Sequence, residues 1–262
     1  MKPGSDLGLD HWRGSPIDPL DEPWFRFGRV CDLLDRHVAI PAGSKWLDLG
    51  CQIGQFLKLA SARYGVLPAG IDDFDRTNIV AVCKRYFRLS ITDPEEVLDG
   101  SWRYFSRRID EVGFDLDEVF PFISALEIIE HMVDTDAFIG ECRAHIQDGG
   151  FLVISTPNIN SLRNRFQVLV GRYPAGLEYR TLVHHVRLYN AATLTSQLSE
   201  HGFRLIDMAG GNFFPKRFLG SRVMRTLDAW LSDLFPSLCG GLLALFTAEP
   251  GERSRARSDP RN

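Results

Sequence analysis

The sequence lacks the cysteine arrangement of a cross-linked or zinc-organised protein. Its five cysteines, Cys31, Cys51, Cys83, Cys142 and Cys239, are odd in number, scattered and without a CxxC pair. That pattern excludes a disulfide framework and suits a reducing, cytoplasmic setting. A membrane-spanning run is missing as well. The most apolar late stretch, AWLSDLFPSLCGGLLALF, is interrupted by Asp233, Pro236 and Gly240-Gly241, whereas a spanning helix needs roughly 20 uninterrupted apolar residues. The opening MKPGSDLGLDHWRG contains no apolar core of the signal-peptide kind, so a soluble protein is expected. There is no excess of positive charge either. The formal net charge of −4 gives no global field for nucleic acid, which is therefore not an expected partner.

What is present is enough apolar residue, 44% of 262, to bury the core of one α/β domain. Residues 1–22 are polar and punctuated by Gly and Pro, and read as a flexible arm. The charged tail GERSRARSDPRN, 251–262, reads as disordered. Between them, 23–250, strand and helix patterns alternate. PWFRFGRVCDLLDRHV has helical spacing, KWLDLG is a short buried strand, and QFLKLASARYG is a helix closed by Gly65. VLPAGID is a second strand, DRTNIVAVCKRY a helix with Asp75 as its N-cap, and FRLSI a third strand. Residues 93–118 have no clear pattern. PFISALEIIEHM opens as a strand and turns towards helix. TDAFIGECRAHIQDGG is a helix stopped by Gly149-Gly150, and FLVIST is a buried strand ending at Pro157. NAATLTSQLSEHGF is a helix, and RLIDMAG and GLLALFTAE are the last strands. This alternation predicts a doubly wound, Rossmann-like, mostly parallel sheet with helices on both faces.

The chemistry concentrates first in KWLDLGCQIGQFLKLA, 45–60. In a doubly wound sheet, ligands sit beyond the carboxyl ends of the strands where the winding reverses. Gly50 ends the first strand and Gly54 opens the next helix, so both lie at that edge. Asp48 is expected to aim at the loop's own amides, and Asp72, at the end of the second strand, can accept the hydroxyls of a ribose. The loop reads G-C-Q-I-G, not the G-x-G-x-x-G of a pyrophosphate-binding turn. Without that spacing, and with no Tyr-x-x-x-Lys, an NAD(P)-dependent oxidoreductase is disfavoured. A plain strand-to-helix turn is the bland alternative for the loop taken alone.

Asp48 to Gly54 resembles the first motif, D-x-G-x-G-x-G, of class I S-adenosylmethionine (SAM)-dependent methyltransferases. GID at 70–72 resembles their acidic second-strand motif. ALEIIEHM, DGGFLVISTPN and HHVRLYNAATLTSQLSEHGF follow in the order of the subgroup that includes the ubiquinone-biosynthesis O-methyltransferases. The resemblance covers roughly 30–210 and implies a seven-stranded sheet, SAM as cofactor, and a cofactor site at Asp48, Gly50, Cys51, Gln52, Gly54 and Asp72. It departs from the family at Gln52, which replaces the middle glycine, and at Pro121, where an aspartate is usual. The polar residue expected after the third strand is either Ser90 or Asp93.

The second concentration is Glu127-Ile-Ile-Glu130-His131. On a helix these three polar residues share one face, and their oxygen and imidazole atoms suit Mg²⁺, Mn²⁺ or Zn²⁺. A solvated acidic helix start is the bland alternative. The resemblance extends the set: E-x-x-E-H ligates metal in ubiquinone-type and small-RNA 2′-O-methyltransferases, the latter adding a later histidine that corresponds to His185. Glu127, Glu130, His131 and His185 are thus the implied metal ligands, with His131 or His185 as base and His184 as the alternative to His185. The implied reaction is methylation of a hydroxyl on a small molecule or glycan- or lipid-linked acceptor, with a non-catalytic SAM-fold module as the rival.

Two further stretches bear on the acceptor. TPNINSLRNRF offers Asn158, Asn160, Arg163 and Arg165 at the same edge, to an acceptor or simply as loop caps. Residues 161–183 are expected to cover the pocket, and Arg163, Arg165, Arg172 and Arg180 would suit an anionic acceptor. FFPKRFLGSRVMRTLDAWLSDLF could touch a membrane or partner, though the simpler expectation is a helix packed between the last two strands.

Overall fold

The structure, a computed structural model, describes residues 24–73, 80–81, 93, 100–109, 113–114, 116–174, 185–215 and 218–250. The expected N-cap Asp75, the FRLSI strand, Ser90, Arg180, His184 and the terminal arm and tail lie outside them.

Helix α1 (Trp24–His37) precedes strand β1 (Lys45–Leu49), helix α2 (Gln55–Tyr64) and strand β2 (Leu67–Asp72). Strand β3 (Arg103–Ser106) is followed by β4 (Phe120–Leu126), a 3₁₀ turn (Ile129–His131) and α3 (Thr135–His145). Then come β5 (Ile146–Pro157), α4 (Leu162–Leu169), α5 (Ala191–Glu200), β6 (Phe203–Gly210), α6 (Arg222–Leu234) and β7 (Gly241–Ala248). The seven strands form one sheet in the order β3-β2-β1-β4-β5-β7-β6. Neighbours from β3 to β5 are parallel, and β7 runs antiparallel to both β5 and β6. Winding goes outward from β1 in one direction to β3 and in the other to β6. The switch point therefore falls between β1 and β4, and a ligand crevice is expected at their carboxyl ends.

Strand residues alternate between two cores, as the period of 2 demands. Trp46 packs with Phe56 of α2, Leu33 of α1 and Phe122 of β4 on one face. Leu47 and Leu49 pack with Ile123, Phe138 of α3 and Leu194 and Leu198 of α5 on the other. Both faces of the central strands are thus covered, which is why they read as nearly continuous apolar runs.

Two expectations are corrected here. The strand that pairs with β2 is Arg103–Ser106, inside the stretch that showed no pattern; it is a four-residue edge strand with exposed ends, too short and too wet to show periodicity. Helix α3 stops at His145, ahead of Gly149-Gly150, because Ile146 already pairs with Phe120. The next pair is Phe122 with Phe151, so residues 147–150 bulge out, with Gly149 at φ +75°. Pro121 sits opposite that irregularity, where its missing N–H does not interrupt a regular ladder.

Candidate active site

The glycine loop runs from β1 into α2 and is shaped by β2. The amides of Gly50 and Cys51 both donate to the Ile71 carbonyl, at 2.9 and 3.1 Å. The Gln52 amide donates to Asp72 Oδ2 at 2.7 Å. Asp48 has a different role from the one expected. Its Oδ1 accepts from Ser124 on β4, whose hydroxyl in turn accepts the Trp46 indole N–H at 2.9 Å. Asp48 therefore ties β1 to β4 beneath the loop, and the loop amides are satisfied by β2.

Gly50 and Gly54 have φ of +70° and +76°. A Cβ on Gly50 would lie 2.9 Å from Ile128 Cδ1, and one on Gly54 would lie 2.7 Å from the Trp102 ring. Both positions need glycine for conformation and for space. Gln52, with φ +49°, takes the left-handed conformation that a glycine adopts without strain.

A cavity of about 490 Å³ opens over this loop, lined among others by Asp48, Gly50, Gln52, Asp72, Glu127 and His131. That volume lies in the range of roughly 300–1,000 Å³ typical of small-molecule sites. Asp72 stands at its floor, with Oδ1 accepting the Asp73 amide at 2.8 Å and Oδ2 accepting that of Gln52. A carboxylate has about four acceptor directions, so two remain for hydroxyl donors. Burial is the main cause that raises the Asp72 carboxyl to about 6 and the Asp48 carboxyl to about 7. Five of the six residues expected to bind cofactor, Asp48, Gly50, Cys51, Gln52 and Asp72, line this one crevice, whereas Gly54 packs against Trp102 behind the turn.

Part of the lining comes from residues that sequence reasoning did not place there. Arg26 and Phe27 of α1 reach the cavity, and Arg26 pairs with Glu127 at 3.2 Å. Only the fold brings them in; the α1 sequence signals an apolar stripe and nothing more.

The Glu-Glu-His segment is not α-helical. Glu127 has φ +56°, and a 3₁₀ turn follows from Ile129, so the expected common face does not form. Glu127 turns instead to Ser155, whose hydroxyl donates to its Oε1 at 2.9 Å, and to Arg26. Glu130, His131 and His185 do converge, with one ligating atom from each lying within 4.8 Å of the others. The rings of His131 and His185 meet edge to face at 4.9 Å. Backbone bonds explain how His185 arrives: the amides of Val186 and Arg187 donate to the Glu130 carbonyl at 2.9 and 3.1 Å. Glu130 is buried, accepts from Thr156 at 3.1 Å, and leaves Oε1 buried without a hydrogen-bond partner. Burial raises its carboxyl above the ordinary range. An orphaned carboxylate oxygen beside two imidazoles is a donor set that fits a divalent cation.

Gln52 and Glu127 are the two non-glycine residues with positive φ among those described, and both line the crevice. Strain of this kind clusters at functional sites. Further along the edge, Asn158 proves to be a loop tie. Its side-chain amide donates to the carbonyls of Ser237 and Cys239, both at 2.9 Å, and its carbonyl side accepts the Asn160 amide. Arg165 holds the Asn160 carbonyl at 2.7 Å. Asp93 is exposed and does not line the cavity.

The strand order, the switch-point crevice and the acid-ended β2 facing a glycine turn together define a class I SAM-dependent methyltransferase. The family model described as a methyltransferase domain matches residues 24–207, and the chain belongs to that family. It is 26% identical over 199 residues to the ubiquinone biosynthesis O-methyltransferase of Acinetobacter baylyi, covering 76% of each chain. It is 28% identical over 173 residues to the human mitochondrial enzyme of the same name, covering 66% of this chain but only 45% of the human one. Among solved structures, phosphoethanolamine N-methyltransferase 2 of Haemonchus contortus in complex with SAM superposes with a TM-score of 0.52 at 20% identity, over 86% of this chain and 53% of that one. The [4+2]-cyclase SpnF superposes with a TM-score of 0.54 at 17% identity, over 92% and 86%. These structural likenesses carry the fold alone. Among the described residues, no helix is long and apolar enough to cross a membrane.

Proposed function

We propose that this chain methylates a hydroxyl oxygen of a small-molecule, glycan- or lipid-linked acceptor, assisted by a divalent cation held by Glu130, His131 and His185. The observation that carries this reading is that His131 belongs to both sites: it lines the cofactor crevice and completes the Glu130–His185 cluster. An acceptor at the cluster would therefore lie beside the donor's methyl group. The names of the O-methyltransferase relatives support the same reaction class.

Methyl transfer needs alignment above all. In the reaction, the acceptor oxygen forms a bond to the methyl carbon as the sulfonium S–C bond breaks, and the hydroxyl proton must leave. An amine acceptor would not require that last step, whereas an alcohol requires a base or a Lewis acid. A bound cation would lower the pKa of the hydroxyl. His131 and His185 have imidazole nitrogens for ligation or for taking the proton. Asp72 would accept the ribose hydroxyls of the donor, and Arg26, held by Glu127, supplies a cation for the donor's carboxylate end.

Metal content measured by mass spectrometry after purification without chelator tests the proposal. One divalent ion per chain is expected, lost in Glu130→Gln and His185→Ala, while SAM binding persists. Full methylation activity in EDTA by a metal-free protein would remove the cation from the account.

A further inference from the structure

Strands covered on both faces run apolar almost throughout, yet β5 ends on two hydroxyls. After FLVI come Ser155 and Thr156, both fully buried. A buried hydroxyl needs a partner, and these two find theirs in the glutamates of Glu127-Ile-Ile-Glu130. Ser155 Oγ donates to Glu127 Oε1 at 2.9 Å and accepts the Glu127 amide at 3.1 Å. The same amide lies 3.0 Å from the Ser155 carbonyl, so Ser155 holds both the side chain and the φ +56° backbone of Glu127. Thr156 Oγ1 donates to Glu130 Oε2 at 3.1 Å.

Successive strand residues point to opposite faces of a sheet. Val153 belongs to the core that α1 and α2 cover, and Leu152 and Ile154 to the core that α3 and α5 cover. By that alternation Ser155 points to the α1 face and Thr156 to the α5 face. Their partners divide in the same way. Glu127 meets Arg26 of α1 at 3.2 Å, in the lining of the crevice. Glu130 meets the histidines: Thr156 takes Oε2, and Oε1 is left buried without a hydrogen-bond partner, 4.0 Å from His131 Nε2.

We infer that Ser155 and Thr156 are positioning residues that sort the two glutamates between two tasks. Ser155 sets Glu127 to hold Arg26 for the donor's carboxylate end, and Thr156 turns Glu130 Oε1 towards His131 and His185. Because the two hydroxyls lie on opposite faces, each serves one glutamate and not the other. Partners that orient ligating groups in this way govern affinity as strongly as the groups themselves. The Thr156 assignment rests on the reading of Glu130, His131 and His185 as a cation site; the Ser155 assignment does not. A merely structural role for either hydroxyl would disturb both sites alike.

The test is calorimetric titration of the full chain with Mn²⁺ and, separately, with S-adenosylhomocysteine. Thr156→Val keeps the side chain's shape and removes its donor; it should weaken Mn²⁺ binding about tenfold or more and leave S-adenosylhomocysteine within about twofold. Thr156→Ser should restore Mn²⁺ affinity. Ser155→Ala should do the reverse of Thr156→Val, weakening S-adenosylhomocysteine about fivefold with Mn²⁺ binding unchanged. The ligand that each variant keeps reports that it has folded. Equal loss of both ligands in either variant, wild-type Mn²⁺ affinity in Thr156→Val, or no recovery in Thr156→Ser overturns the inference. A wild-type chain that binds no Mn²⁺ overturns the cation reading and the Thr156 assignment together, and Ser155→Ala against S-adenosylhomocysteine then tests the other assignment without it.

Discussion

Replacing Gln52 by glycine restores the residue the family motif carries, and the structure fixes what should follow. Gln52 holds φ +49°, which costs a non-glycine residue about 1 kcal/mol. Glycine removes that strain but frees the unfolded chain, which costs roughly 0.4–1 kcal/mol of stability. The two nearly cancel, so Gln52→Gly should change the unfolding free energy by no more than about 1 kcal/mol, in the stabilising direction if at all. Gln52's role in the loop is carried by its backbone: the amide N–H meets Asp72 Oδ2 at 2.7 Å, and glycine and alanine keep that N–H. Urea denaturation and isothermal titration of SAM read both quantities. Gln52→Gly and Gln52→Ala should bind SAM within about twofold of wild type, a difference of about 0.4 kcal/mol. A tenfold loss in both would refute the reasoning and assign the carboxamide a direct role in gripping the donor.

Gly54→Ala should behave oppositely, because left-handed strain combines with a Cβ 2.7 Å from Trp102; a loss of about 2–4 kcal/mol in urea is expected. SAM affinity should fall as pH drops through about 6, where the buried Asp72 carboxyl takes up its proton and loses acceptor capacity; titrations from pH 5 to 8 should show it, and Asp72→Asn should bind weakly at every pH. Asp48 bears on stability. Burial lifts its carboxyl to about 7, so the folded state holds that proton more tightly than the unfolded chain, and stability falls as pH rises from about 4 to about 7. Asp48→Asn should remove up to about 4 kcal/mol of that pH-dependent loss, measured as the difference between the two proteins' denaturation curves across the window.

Sequence patterns revealed the central strands because burial on both faces leaves continuous apolar runs, as in KWLDL and FLVIST. They did not reveal β3, whose four half-exposed residues carry no period, or the end of α3, which is decided by a pairing with β4 far away in sequence. In the site, the glycine positions and Asp72 were legible because a turn at φ > 0 and a strand-end acid leave local marks. The Glu-Glu-His spacing was legible only in part. Reading it on an α-helix placed Glu127 with the other two, whereas the backbone turns at Glu127 to meet Ser155 and Arg26. Arg26 leaves no such mark, since its place over the crevice depends on where α1 packs.

The most direct test of the central claim is a crystal structure with S-adenosylhomocysteine. The ligand is expected in the crevice between Gly50 and Asp72, with both ribose hydroxyls on the Asp72 carboxylate and its sulfur turned towards His131. A crevice filled by protein side chains, or a ligand bound elsewhere, would contradict the account.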